Sequence, residues 1–66
     1  MVALNSSNLS GADYDGGTLY VAFHGGRVYA YFGVPYTRFT GLLNASSHGQ
    51  YFHAHIRNSY RYRRIR

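Results

Sequence analysis

Several residue types that stabilise or activate small proteins are missing from this chain. It has 66 residues and no cysteine, which excludes disulfide bridges and thiolate metal sites. It has one proline and no long hydrophobic run. A domain this short buries only about 60% of the surface that its unfolded chain exposes. Additional stability must therefore come from dense packing of its four Phe and eight Tyr residues, or from self-association.

Acidic residues are almost absent, and lysine is absent altogether. The chain has two acidic residues, Asp13 and Asp15, and seven arginines, so the formal net charge is +5 and the pI is about 10.0. Most of the guanidinium groups cannot find a carboxylate within the chain, which favours an anionic partner. Five of the seven arginines lie in the last ten residues, among tyrosines. Arginine grips phosphate or carboxylate in two places and stacks on rings, which lysine cannot do.

No segment of about 20 apolar residues is present, and the first residues lack the basic start and apolar run of a signal peptide. We therefore expect a soluble cytoplasmic protein with no membrane partner. N-x-S triplets, such as those at Asn5 and Asn44, are then incidental.

The first half of the chain has the pattern of an antiparallel sheet. Residues 18–24 and 27–33 both alternate, are rich in β-branched and aromatic residues, and flank Gly25 and Gly26. This predicts a central hairpin over 18–33. Residues 9–14 predict a shorter strand before it, turned by the sequence Asp-Gly-Gly at 15–17. Residues 60–66 return to alternation and are either a last strand or a frayed arm.

The second half has the pattern of two short helices. Pro35 suits a first helical turn, and Phe39, Leu42 and Leu43 follow at helical spacing, although Gly41 weakens this helix. Ser47 with Gln50 three residues later predicts the N-cap of a second helix, whose apolar face carries Phe52 and Ile56. We predict an α+β fold, a sheet of three to four antiparallel strands with two short helices on one face. The predicted buried residues are Leu19, Val21, Phe23, Val34, Phe39, Leu42, Leu43, Phe52 and Ile56.

The turn of the hairpin decides whether its tyrosines belong to the core or to a site. A two-residue turn at Gly25 and Gly26 places Tyr29 and Tyr31 on the face away from Val21, as an aromatic platform with a basic rim. A three-residue loop with a glycine bulge at Gly26 shifts the register by one residue. Both tyrosines then share the core face with Leu19, Val21 and Phe23. Both alternatives remain open from the sequence.

The segments "SSNLSGADYD", "LYVAFHGGRVYAYFGVP", "LLNASSHGQYF" and "IRNSYRYRR" together resemble a KTSC domain, a small module named for its occurrence at the C-terminus of some lysyl-tRNA synthetases. The resemblance covers roughly residues 6–65 and implies one domain over 1–66, with 1–6 as an N-terminal arm and 60–66 as a basic tail. KTSC domains occur alone or fused to a synthetase, and the resemblance implies a suggested RNA-binding role. His53 departs from the asparagine that usually follows Tyr-Phe in the family.

An arginine and tyrosine patch is the candidate site. We expect the ligand to contact residues of the helix, the tail and the hairpin: Tyr51, His53, Arg57, Tyr60, Arg61, Tyr62, Arg63, Arg64, Arg27, Tyr29 and Tyr31. We expect no metal and no cofactor, because His53 and His55 point to different sides of a helix and no further ligand completes a tetrahedral set. The two aspartates around Tyr14 are better explained by the adjacent turn.

Three functions are compatible with these residues. The first is a non-enzymatic binding module for RNA or a free or cyclic nucleotide. One form of it is a homo-oligomer that sequesters a nucleotide messenger in pockets between subunits. The second is a protein-interaction module for an acidic partner. The third is a metal-free ribonuclease that uses Tyr51, His53, His55 and Arg57, although no known catalytic motif is present.

Overall fold

A computed structural model describes all 66 residues as a five-stranded antiparallel sheet with two helices packed on one face. The strands follow one another in chain order across the sheet. Their bounds are β1 Val2–Ala3, β2 Leu9–Asp15, β3 Thr18–Phe23, β4 Val28–Tyr31 and β5 Tyr62–Arg64; the helices are α1 Tyr36–Asn44 and α2 His48–His55. The predicted α+β class is confirmed, with five strands instead of three to four. Neither helix is long and apolar enough to cross a membrane.

The two edge strands account for the difference in strand number. β1 has two residues, which is too short for an alternating pattern to identify it. β5 has three residues and is the last strand that the alternation of residues 60–66 left open beside a frayed arm. β1 pairs with β2 through Val2 and Ala12, and β5 pairs with β4 through Tyr62 and Tyr31. The segments expected to be an arm and a tail each contribute one of these edges.

The central hairpin is closed by a three-residue connection. The Phe23 amide donates to the Arg27 carbonyl at 2.8 Å, and the Gly26 amide donates to the Phe23 carbonyl at 3.1 Å. Gly26 has a φ of +94°, a region that residues with a Cβ rarely adopt. The register pairs Val21 with Tyr29, so of the two alternatives the structure has the shifted one. The tyrosines of β4 therefore lie on the face that the helices cover.

Both helices begin where the sequence predicts. Pro35 precedes α1 with φ −63° and ψ 146°, an extended conformation that turns the chain into the helix. The Ser47 hydroxyl accepts from the Gln50 amide at 3.3 Å and caps α2. The predicted N-cap is confirmed.

The hydrophobic core lies between the helices and the covered face of the sheet. Seven of the nine residues predicted to be buried are buried, and Phe23 and Leu43 are half-buried. The core also contains residues that were not predicted: Leu4, Leu9, Ala12 and Tyr31. Tyr31 is there because the hairpin register points it at the helices.

Gly41 has a packing role in α1. A Cβ atom at this position would lie 2.7 Å from Cζ of Tyr51, a distance that real Cβ atoms essentially never show. The Tyr51 ring of α2 therefore rests directly on the α1 backbone. The residue that weakens the helix pattern allows the two helices to approach each other.

Candidate ligand-binding groove

A groove of about 500 Å³ lies between α2 and the outer half of the sheet. We call it the tyrosine groove. Its aromatic part consists of Phe23, Tyr29, Tyr31, Phe52 and Tyr62, and its basic part of His24, Arg27, His53 and Arg57. Ser7, Asn8, Leu9, Gly49 and Asn58 complete the lining.

The three tyrosines of the groove form a cluster because of the strand register. Tyr31 of β4 lies opposite Tyr62 of β5. Tyr29 precedes Tyr31 by two residues in β4 and therefore lies on the same face of the sheet. Their ring centroids are 5.7 to 6.5 Å apart. Phe23 and Phe52 meet them edge-on at 5.6 Å. Tyr31 is 4% exposed and Tyr62 is 59% exposed, so the cluster runs from the core to the solvent.

The Tyr31 hydroxyl is protonated at neutral pH. Burial, followed by the nearby Tyr29 and Tyr62, raises the pKa of Tyr31 to about 12, while Arg57 acts in the opposite direction. A protonated phenol can donate a hydrogen bond into the groove.

The basic side chains surround the aromatic cluster. The Arg27 guanidinium carbon lies 5.5 Å from the centroid of the Phe23 ring, a cation–π arrangement. Arg57 Nη1 donates to His53 Nδ1 at 3.4 Å, one helical turn away. His24 Nε2 donates to the Ser6 carbonyl at 2.8 Å and so attaches the loop before β2 to the hairpin.

No carboxylate lines the groove. The one ion pair of the protein joins the terminal ammonium of Met1 to Asp13 at 3.8 Å, and no arginine pairs with an aspartate. The guanidinium groups of Arg27 and Arg57 are therefore not neutralised by acidic side chains. The arrangement can place positive charge beside a flat ring system bound on the tyrosines.

Six of the eleven predicted site residues line the groove: Arg27, Tyr29, Tyr31, His53, Arg57 and Tyr62. The structure places the other five elsewhere. Arg63 pairs with Ala30, which puts its side chain on the opposite face of the sheet. Arg61 lies two residues earlier and belongs to the same face as Arg63. Arg64 shares the face of Tyr29 but lies outside the groove, where its Nε donates to the Arg66 carbonyl at 3.1 Å.

Tyr51 and Tyr60 belong to a separate cluster around Arg38. Interaction with the Tyr51 hydroxyl, and then with the Tyr60 hydroxyl, raises the pKa of Arg38 above its ordinary value. Both tyrosines are half-buried against the hydrophobic core. This cluster connects α1, α2 and the segment that leads to β5.

Three parts of the groove were not predicted as site residues. Phe23 was predicted as core only, His24 as the end of a strand, and the loop with Ser7 and Asn8 was not considered. The Ser6 hydroxyl accepts from the amides of Asn8 and Leu9, both at 3.3 Å, and this local turn shapes the loop. The serine and asparagine run is a turn signal, but only the folded chain shows that the turn borders a groove.

The residues proposed for a ribonuclease are not gathered at one place. His53 lies in the tyrosine groove, whereas the His55 ring packs on Tyr51 with centroids 4.5 Å apart and lies outside the groove. No group of three or more His, Cys, Asp or Glu side chains is placed to hold a metal ion.

The fold and the groove define a small α+β domain with an aromatic and basic cleft beside its second helix. The sequence model of the KTSC domain family matches residues 5–60. The chain belongs to the KTSC domain family, which confirms the resemblance.

Relatives of two kinds are similar to this chain. The lysine–tRNA ligases of Trichormus variabilis and of a Nostoc species are 46% and 44% identical to it over 48 residues. That match covers 73% of this chain and 9% of each ligase. The crystal structure of a KTSC domain protein from Yersinia pestis has a TM-score of 0.88 and 28% identity, and the match covers 97% of this chain and 93% of that one.

Proposed function

We propose that this protein is a non-enzymatic binding module that captures a phosphate-bearing ligand, RNA or a free nucleotide, in the tyrosine groove. The observation that carries the proposal is the pairing of a tyrosine cluster, which reaches the solvent at Tyr62, with two arginines and no carboxylate in one groove. A cytoplasmic location is part of the same proposal.

The aromatic part of the groove suits a nucleobase. Tyr62 is 59% exposed and its ring continues the cluster that Tyr29 and Tyr31 begin. A base stacked on an aromatic side chain gains about 1–3 kcal/mol, largely independently of its sequence. A volume of about 500 Å³ lies within the range of small-molecule sites and suits one or two nucleotides at a time.

The basic part suits a phosphate. Arg27 and Arg57 line the same groove as the rings and have no acidic partner. An arginine fork can bind two oxygens of one phosphate, and charge-assisted hydrogen bonds of this kind are the stronger ones. The curated relatives are named for an enzyme that joins lysine to tRNA, which favours an RNA ligand.

The test is a titration of a short single-stranded RNA and of linear and cyclic nucleotides at several salt concentrations. If Arg27 and Arg57 each neutralise one phosphate, log affinity for the RNA should fall with log salt at a slope of about −1.4. The affinity for a free nucleotide should fall more gently, because it carries few condensed counterions. Arg57→Ala should flatten the RNA slope by about 0.7. Arg63→Ala, on the opposite face, is the matched control and should leave the slope unchanged.

The rings are tested by Tyr62→Ala. The loss of one stacking partner should cost about 1–3 kcal/mol of binding free energy. Both ligands should then bind about 5- to 150-fold more weakly, without a change in the salt slope. Tyr36→Ala is the matched control, because Tyr36 is 60% exposed and contacts Tyr14 and Phe39, away from the groove. If neither RNA nor any nucleotide binds below roughly millimolar concentration, the proposal fails.

A protein-interaction module is the second candidate, and β5 favours it. This edge strand is exposed at all three residues and carries Arg63 and Arg64. An extended acidic segment of a partner could add to it as a further strand. A peptide of this kind should perturb the backbone amide resonances of residues 62–64 in an NMR titration, and unchanged resonances would exclude this mode.

We expect no RNA cleavage. If the ribonuclease hypothesis held, activity would copurify with the protein and His55→Ala would lower the rate by about 10²-fold or more. The separation of His55 from His53 and Arg57 argues against this outcome.

A further inference from the structure

The face of the sheet that the helices leave uncovered, here called the open face, carries the two aspartates of the protein on one side and two arginines on the other. Asp13 and Asp15 lie on β2, at alternate positions that belong to the open face. Arg63 lies on β5 and Arg61 just before it, at the same parity. β3 and β4 run between the two columns of charge.

The strand registers align these residues in rows across the open face. In one row, Asp13 pairs with Tyr20, Tyr20 with Ala30, and Ala30 with Arg63. In the next row, Asp15 pairs with Thr18 on β3, and on the far side the Phe32 amide donates to the Arg61 carbonyl at 2.9 Å. Each row thus begins with a carboxylate and ends with a guanidinium.

The middle of the open face alternates large and small side chains. Tyr20 stands beside Ala30, and Val28 stands beside Ala22. Phe32 is 43% exposed, and Ile65, which follows β5 at the margin, is 51% exposed. Ala30, between Tyr20 and Arg63 in its row, is 3% exposed. A central apolar strip with polar margins is the usual anatomy of a protein interface.

We propose that the open face is the interface between two copies of this chain, related by a two-fold axis that runs parallel to the strands between β3 and β4. This rotation places β2 of one copy over β5 of the other. Each row of one copy then lies over the same row of the second copy, in the reverse direction. Asp13 then faces Arg63 of the second copy, and Asp15 faces Arg61. The symmetry repeats both contacts, so four opposite-charge pairs border the apolar strip.

Side-chain size fits the same operation. Tyr20 of one copy lies over Ala30 of the other, and Phe32 lies over Thr18, so each large residue meets a small one. Sheets that pack face to face lie about 10 Å apart with strands within about 30° of each other, which leaves room for this interdigitation. A two-fold axis perpendicular to the strands would instead place β2 over β2 of the second copy and oppose like charges.

The aspartates distinguish a second copy from a nucleic acid as the occupant. A phosphate backbone laid along Arg61 and Arg63 would pass over a face that also carries Asp13 and Asp15, which repel it. A second copy places a guanidinium opposite each aspartate, although Asp13 also lies 3.8 Å from the terminal ammonium of its own Met1. The open face and the tyrosine groove lie on opposite sides of the sheet, so this inference does not rest on the proposed function, and both grooves stay accessible in the dimer.

The open face is small for an interface. Four strands at about 4.8 Å spacing and about six residues at about 3.3 Å each span an area of roughly 19 × 20 Å. This is at the low end for specific complexes, so we expect a dimer that dissociates at micromolar concentrations.

The test is sedimentation equilibrium of the protein and two charge-reversed variants between about 5 and 500 μM, where a dimer with a Kd of roughly 50 μM changes from mostly dissociated to mostly associated. The protein should fit a monomer–dimer equilibrium. The double variant Asp13→Arg/Asp15→Arg should associate at least ten-fold more weakly, and so should Arg61→Asp/Arg63→Asp. An equimolar mixture of the two variants should recover the dimer, because every facing pair is then again of opposite charge.

Recovery in the mixture shows that both variants are folded, and circular dichroism of each checks it separately. Arg64→Asp is the matched control, since it makes the same charge change on the same strand but on the other face, and it should leave the association unchanged. A protein that stays monomeric at 500 μM overturns the proposal. Association that persists in both variants, or a mixture that recovers nothing, overturns it as well.

Discussion

Replacement of Leu42 by alanine tests the placement of α1 on the sheet. Leu42 is 0% exposed and lies in the core cluster with Leu19, Val21 and Ile56. Truncation of a fully buried leucine removes packed methyl groups and leaves a cavity, which costs about 2–4 kcal/mol. A chain of this length has roughly 3–10 kcal/mol of unfolding free energy in all. At about 4–8 °C per kcal/mol for a domain of this size, the melting temperature should fall by about 8–32 °C.

The adjacent Leu43 supplies the matched control. It is half-buried on the same helix, so Leu43→Ala makes the same chemical change and the same change in helix propensity. Its cost should be about 1 kcal/mol, because less apolar surface returns to water. Thermal and urea unfolding of both variants measure the difference. A cost below about 1 kcal/mol for Leu42→Ala, or equal costs for the two, would refute this packing of α1.

Three further changes have definite expected signs. Gly41→Ala gains about 1 kcal/mol of helix propensity but drives a Cβ into the phenol end of Tyr51, which costs about 1–3 kcal/mol. On balance it should destabilise by up to about 2 kcal/mol in urea unfolding, whereas in a Tyr51→Ala background it should stabilise. Tyr14 donates to the Val34 carbonyl at 2.6 Å, so Tyr14→Phe should cost about 1 kcal/mol in the same assay. The pKa of Tyr31 is about 12 in the folded protein against about 10 unfolded, so its contribution to stability is complete below pH 10 and is lost as the pH rises toward 12; Tyr31→Phe should show a shallower loss across that range.

The local elements could be predicted because local residues determine them. The alternation in 18–24 and 27–33, the proline before α1 and the Ser47 cap each specify structure within a few residues, and all are observed. The buried face of α1 followed from its apolar spacing for the same reason, and Phe39 and Leu42 are buried. The edge strand β1 could not be predicted, because two residues carry no period and the pairing partner is remote in sequence. For residues 60–66 the alternation left a last strand and a frayed arm open, and the pairing of β5 with β4 selects the strand.

The candidate site could be predicted only in part. The excess of arginine over acid followed from composition, and no arginine pairs with a carboxylate in the structure. Which arginines act together depends on which face of the sheet each side chain takes, and the sequence of the tail does not reveal this. Arg57 reaches the groove from α2, while Arg61 and Arg63 fall on the open face because β5 pairs with β4 in one particular register.

By itself the sequence determined the α+β class, the family, the helix caps and the unbalanced positive charge, since each depends on local pattern or on composition. The tertiary structure decided the hairpin register, and with it the position of Tyr29 and Tyr31 beside Tyr62. It also decided that the two aspartates and two of the arginines share a face of the sheet. A shift of one residue in a strand exchanges its two faces, and the energy that selects the register comes from the packing of the whole core.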